Sequence, residues 1–130
     1  MKILIAEDDY VSRKFLSKFL SNYGECDITV DGMEAIDVFL MSLDEKSYYD
    51  LVCLDIMMPE IDGVQTLKTI RVLEQERNVP EESKCKIIMT TALNNADKVQ
   101  STFEMGAQGY AVKPIDVDKF VDVLKKLELI

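Results

Sequence analysis

Apolar residues along this chain follow two alternating spacings. Lys2–Ala6 (KILIA) is a short, nearly continuous apolar run, and Val11, Phe15, Leu16, Phe19 and Leu20 then recur at helical spacing. Gly24 stands where a helix C-terminus favours a left-handed residue. Residues 27–30 (DITV) form a weaker strand, and Met33, Ile36, Phe39, Leu40 and Leu43 a second helical stripe. The alternation continues with strand 51–54 (LVCL) and a helix carrying Val64, Leu67, Ile70 and Leu73, ended by a polar stretch with Pro80. Strand 86–90 (KIIMT) precedes a helix marked by Ala96, Val99 and Phe103, with Gly106 at its cap. Residues 109–112 (GYAV) predict the last strand. Asp116 can then cap a helix carrying Phe120, Val121, Leu124 and Leu127.

Five strand–helix units in succession predict an α/β fold. The strands are short and apolar at consecutive positions, as a parallel sheet covered by helices on both faces requires. Right-handed crossovers give a doubly wound, three-layer sandwich, for which the flavodoxin-like strand order 2-1-3-4-5 is the common solution at this size.

Composition narrows the classes. With 130 residues and 48% hydrophobic content, residues 1–130 are expected to form one domain with an adequate core and no second, output domain. No apolar run approaches the ~18 residues of a membrane span, and acids follow the first run where a signal peptide would be cleaved, so a cytoplasmic protein is expected. The net charge of −9 repels phosphate backbones and argues against direct nucleic-acid binding. There is no histidine, which removes Ser-His-Asp and Cys-His catalysis and histidine metal sites. Cys26, Cys53 and Cys85 have no paired spacing and read as small buried hydrophobes.

In open α/β sheets the site lies beyond the carboxyl ends of the strands. Strand one ends in Glu7-Asp8-Asp9, strand three at Asp55, strand four at Thr90-Thr91-Ala92 and strand five at Lys113-Pro114. In the order 2-1-3-4-5 the ends of strands one, three and four converge. Carboxylates about 4 Å apart repel by roughly 4 kcal/mol even at an effective dielectric of about 20, so the cluster calls for a hard cation. Mg2+ suits it, since it keeps several waters and shares phosphate oxygens; Mn2+ is an expected substitute. A carboxylate nucleophile, a lysine and a hydroxyl together suggest phosphoryl chemistry. Asp9 reads as the cap of the first helix. Thr90 and Thr91 point to opposite sides of their strand, and only the following Ala92 favours Thr91 as the functional hydroxyl. Met57, Met58 and Met89 read as packing residues.

The segments KILIAEDD, LVCLDIMMPEIDG, IIMTTA and GYAVKP, in this order and spacing, make the chain similar to the response-regulator receiver domains of two-component signalling. The resemblance spans essentially the whole chain. It implies that Asp55 accepts a phosphoryl group from a histidine kinase or histidine phosphotransfer protein. Glu7 and Asp8 match the acidic pair that holds Mg2+, with Asp8 the more direct ligand, and Asp55 and the Met57 backbone carbonyl complete the set. Thr91 matches the switch hydroxyl, Tyr110 the switch aromatic and Lys113 the phosphate-binding lysine, and the Lys113–Pro114 bond is usually cis in such domains. Output through the fourth helix, fifth strand and fifth helix is implied, toward an unnamed protein target.

Two departures from the pattern carry expectations. Met57 and Leu93, two residues beyond the phosphoacceptor and the switch threonine, are polar in fast self-hydrolysing relatives and apolar here, which implies a long-lived phosphoryl group. Gln108-Gly109 stands where dimerising relatives carry paired acids, so an unphosphorylated monomer is expected. The rival readings are weaker. A flavodoxin needs a Ser/Thr/Gly-rich loop after strand one, and a haloacid-dehalogenase-type phosphatase needs a second Asp where Met57 stands. A pseudo-receiver adaptor, binding a partner without phosphorylation, usually lacks part of the acidic pocket.

Overall fold

A computed structural model describes residues 1–92 and 96–130. Five strands, β1 (Lys2–Ala6), β2 (Glu25–Thr29), β3 (Leu51–Asp55), β4 (Lys86–Thr91) and β5 (Gly109–Val112), alternate with helices α1 (Tyr10–Leu20), α2 (Gly32–Asp44), α3 (Gly63–Glu76), α4 (Ala96–Glu104) and α5 (Val117–Lys126). The strands form one parallel sheet in the order β2-β1-β3-β4-β5, the doubly wound arrangement expected from the pattern. The second strand begins and ends earlier than the apolar pattern suggested: it pairs from Glu25, opposite Lys2, through Thr29, opposite Ala6. As an edge strand it needs no continuous apolar run, so its sequence signal is weak.

Strand alternation sorts the core into two layers. Ile3, Ile5, Leu51, Cys53 and Ile88 pack with Leu16, Phe19, Leu20, Phe120 and Leu124 of α1 and α5. Leu4, Ala6, Val52, Leu54, Ile87 and Met89 pack with Phe39, Leu67 and Ile70 on the opposite face. Phe19 and Phe120 meet edge-to-face at 5.5 Å and join α1 to α5.

Several helical stripe residues lie outside the core. Val11, Phe15 and Met33 are exposed. At about 100° per residue, α1 buries the arc holding Leu16, Phe19 and Leu20, and Val11 and Phe15 fall just beyond it. In α2 the buried arc holds Ala35, Phe39 and Leu43, and Met33 projects from its flank. Cys26 is only half-buried, unlike Cys53 and Cys85, because it sits on the edge strand. Gly24 does not take a positive φ. A Cβ there would meet the Met1 carbonyl oxygen at 2.1 Å, so close approach to the start of β1 explains this glycine. Gly106 is left-handed, with φ +112.

At the end of the sheet opposite the strand carboxyl ends, one polar network ties three elements together. Arg71 of α3 donates from Nε and Nη2 to the Gly106 carbonyl at 3.2 and 2.8 Å. Its Nη2 also reaches Gln108 Oε1 at 2.9 Å and its Nη1 reaches buried Glu74 at 2.6 Å. Glu74 accepts from the Cys85 N–H at 2.9 Å, and Gln108 from the Ile87 N–H at 2.8 Å. The α4–β5 corner is thereby held to α3 and to the start of β4.

Candidate functional site

The register of the sheet carries Glu7, Asp8, Asp55 and Lys113 to one end of the molecule. β1 pairs with β3 and β3 with β4 without bulges, so the loops after Ala6 and Asp55 open side by side. Each loop is shaped by capping: Asp9 Oδ2 accepts from the Ser12 N–H at 2.9 Å and starts α1, and Asp62 Oδ1 accepts from the Gln65 N–H at 2.9 Å and starts α3. Gly63 folds back onto the end of β3, donating to the Ile56 carbonyl at 2.9 Å. A Cβ at Gly63 would meet the Asp55 carbonyl oxygen at 2.2 Å; only a glycine lets the loop return this closely.

The carboxylates of Glu7, Asp8 and Asp55 each place an oxygen within 4.8 Å of the others. Glu7 is fully buried and Asp55 is 4% exposed, whereas Asp8 faces solvent. Lys113 Nζ stands 2.6 Å from Glu7 Oε1 and 3.1 Å from Asp55 Oδ2. Asp55 Oδ1 accepts from the Met57 N–H at 3.2 Å, and Glu7 Oε2 from the Asp9 N–H at 3.1 Å. One ammonium thus serves two buried acids, with a third beside them.

The electrostatics follow from that imbalance. Burial, then the adjacent Glu7, push the Asp55 carboxyl up to about 6, with Lys113 acting against them. Burial and the neighbouring Asp55 also raise Asp8. For Lys113, burial works against the charge, but Glu7 and Asp55 outweigh it and hold the ammonium above its ordinary value. Asp9 behaves oppositely: the Ser12 N–H draws it below the usual carboxylate range. An acid held up by neighbouring acids is what a cation would relieve, so the Glu7, Asp8 and Asp55 oxygens suit a hard divalent ion.

Of the remaining candidates, Met57 reaches the cluster through its backbone N–H. Thr91 is buried and its hydroxyl donates to the Ala92 carbonyl at 3.0 Å. Tyr110 is 45% exposed, its ring edge-to-face with Phe103 at 6.1 Å. The Lys113–Pro114 peptide is cis. Met57 is 53% exposed, not a packing residue like Met58 and Met89, because its side chain leaves the loop after β3 toward solvent. Its sulfur lies 3.6 Å from Lys98 Nζ. Leu93 lies outside the described residues.

Two residues near the site were given no role from the sequence. Arg13 Nη1 donates to the carbonyls of Glu7 and Asp8 at 3.0 and 3.2 Å, bracing the acidic loop from one turn into α1. Thr90, passed over in favour of Thr91, is the residue in direct register with Asp55. Strand parity could have flagged it; nothing in the sequence marks Arg13.

The family model for the response regulator receiver domain matches residues 3–125. Among curated proteins, the chain is 31% identical over 126 residues to sporulation initiation phosphotransferase F of Bacillus subtilis (strain 168), covering 96% of this chain and 91% of that protein. Among solved structures, it superposes on the Vibrio cholerae chemotaxis protein CheY4 with a TM-score of 0.76 and 26% identity, over 96% of both chains. It matches a chain of the CheX-CheY-BeF3-Mg complex from Borrelia burgdorferi with a TM-score of 0.83 and 25% identity, over 98% of this chain and 89% of that one.

Proposed function

The chain belongs to the response-regulator receiver domain family of two-component signalling, and from that premise we propose that Asp55 is its phosphoacceptor. The observation that carries this reading is the shared ammonium: Lys113 bridges buried Glu7 and Asp55 at 2.6 and 3.1 Å at the mouth of the sheet. A buried carboxylate with one oxygen on a lysine and the other on a backbone N–H is held in place to attack.

In the reaction, an Asp55 carboxylate oxygen attacks the phosphorus of a phosphohistidine on the partner. The P–N bond breaks, its electron pair stays on the imidazole nitrogen, and an aspartyl phosphate forms. Lys113 and the Met57 N–H are placed to stabilise the phosphoryl oxygens. Asp8, Glu7 and Asp55, with the Met57 carbonyl, would hold Mg2+, which when bound neutralises charge between carboxylates and phosphoryl oxygens. Loss of the group reverses the bookkeeping: water attacks phosphorus, the bond to Asp55 breaks and the carboxylate returns with inorganic phosphate.

The modified residue carries roughly −1.5 to −2 of charge, as other phosphoryl groups do. Thr91 and Lys113 can turn toward it, and Tyr110 can move into the space Thr91 leaves, biasing the surface of α4, β5 and α5. A groove of about 610 Å3 lies along that surface, lined by Phe103, Tyr110, Lys113, Lys119 and Val123 among others, and suits a protein target. Acetyl phosphate serves as a small donor for the test. With Mg2+, intact mass spectrometry is expected to show one added phosphoryl group in the wild type and none in Asp55→Asn or in EDTA. No added mass in the wild type would favour a pseudo-receiver adaptor.

A further inference from the structure

Thr90, at the end of β4, is 1% exposed, and among the described residues its Oγ1 has no hydrogen-bond partner. A buried hydroxyl left unpaired is costly, and such groups in folded proteins ordinarily find a partner. Its position indicates where one would come from. On β3, Leu51 and Cys53 face α1 and α5, while Val52 and Leu54 face the other layer, so alternation puts Asp55 on the α1/α5 face. On β4, Ile88 lies on that same face and Ile87 and Met89 on the opposite one. Thr90 therefore shares the face of Asp55, and Thr91 does not. The two are paired directly in the β3–β4 register. Neighbouring strands are about 4.8 Å apart, so the two side chains leave the same face from adjacent points of the sheet.

In the structure both Asp55 oxygens are engaged, Oδ1 by the Met57 N–H and Oδ2 by Lys113. Phosphorylation makes one of them an ester oxygen, and the charged phosphoryl oxygens compete for Lys113. The retained acyl oxygen has two lone pairs, so it can accept a further donor in place of Lys113 even where it also helps to hold Mg2+, and Thr90 stands in register on the next strand.

We propose that the Thr90 hydroxyl donates to the acyl oxygen of modified Asp55, making Thr90 a positioning residue that stabilises the phosphorylated state over the unphosphorylated one. The inference rests on Asp55 being the phosphoacceptor. It assigns to Thr90 a role separate from the phosphoryl contact expected of Thr91.

Beryllofluoride with Mg2+, which forms a phosphoryl-like adduct on a carboxylate, is the probe, and calorimetry reads its affinity and the melting temperature before and after loading. Thr90→Val keeps the shape and removes the hydroxyl. Its melting temperature without beryllofluoride is expected to equal or exceed that of the wild type, because no bond is lost in that state. Its affinity for beryllofluoride is expected to fall about tenfold, the effect of one net hydrogen bond. Thr90→Ser, which keeps the hydroxyl, is expected to retain wild-type affinity. Wild-type affinity in Thr90→Val, a lowered unloaded melting temperature, or equal loss in Thr90→Ser would each overturn the role of Thr90 alone. A wild type that takes up neither beryllofluoride nor a phosphoryl group would overturn the phosphoacceptor reading, and this inference with it.

Discussion

Lys113 Nζ and Glu7 Oε1 lie 2.6 Å apart, and Glu7 is fully buried. The same ammonium reaches Asp55 at 3.1 Å, so the pair is the point from which the charge of the whole cluster is balanced. Removing the lysine strands a buried carboxylate, which costs more than the pair itself contributes. Lys113→Met is expected to lower stability by about 3 kcal/mol. Adding Glu7→Gln is expected to restore most of that loss. A double-mutant cycle by urea unfolding in EDTA measures the coupling; additive losses would show that the two groups act independently.

The raised Asp55 carboxyl sets a pH dependence. Its folded-state value, about 6, lies above the ordinary 3.8, so the folded chain binds the proton more readily than the unfolded one. Stability from this group therefore rises as pH falls through that window, and ionised Asp55 is destabilising above it. Without metal, Asp55→Asn is expected to be more stable than the wild type at pH 7, and the difference to shrink toward pH 4. Thermal melts of both proteins in EDTA across that range check it. Mg2+ is expected to stabilise the wild type at pH 7 and to have a much smaller effect on Asp55→Asn.

Met57 is expected to govern how long a phosphoryl group persists on Asp55. Its side chain is solvent-exposed beside the Asp55 loop, with Lys98 at its sulfur. An apolar group there offers no hydrogen bond to place an attacking water. After phosphorylation by acetyl phosphate and removal of the donor, the wild type is expected to retain its phosphoryl group well beyond seconds. Met57→Asn is expected to lose it faster. Intact mass against time reads both, and decay of the wild type within seconds would refute the role given to Met57.

Arg71 braces the α4–β5 corner from behind. Its guanidinium holds the Gly106 carbonyl, Gln108 and buried Glu74 at once, a fork that an ammonium cannot reproduce. Arg71→Lys is therefore expected to recover little of the roughly 3 kcal/mol lost in Arg71→Ala, where Glu74 stays buried without its cation. Urea unfolding of the two variants measures this. Hydrogen exchange is expected to show the loss of protection concentrated at the α4–β5 corner.

Much of this protein was legible along the chain, because burial on both faces of a parallel sheet leaves continuous apolar runs and helix starts leave capping residues. The five strand–helix units, the caps at Asp9 and Asp116 and the gathering of Glu7, Asp8, Asp55 and Lys113 at strand ends all follow from local pattern plus one rule of topology. Exposure at Val11, Phe15, Met33 and Met57 did not follow, since a helical or loop residue is buried only where a neighbouring element covers its arc. Which acid shares the lysine, that Arg13 braces the acidic loop and that Gly63 returns onto Asp55 depend on distances between segments far apart in sequence. Thr90 shows the division most clearly. Alternation alone separates it from Thr91, but only the register of β3 against β4 sets it beside Asp55, because pairing between strands is decided by the packing of the whole sheet.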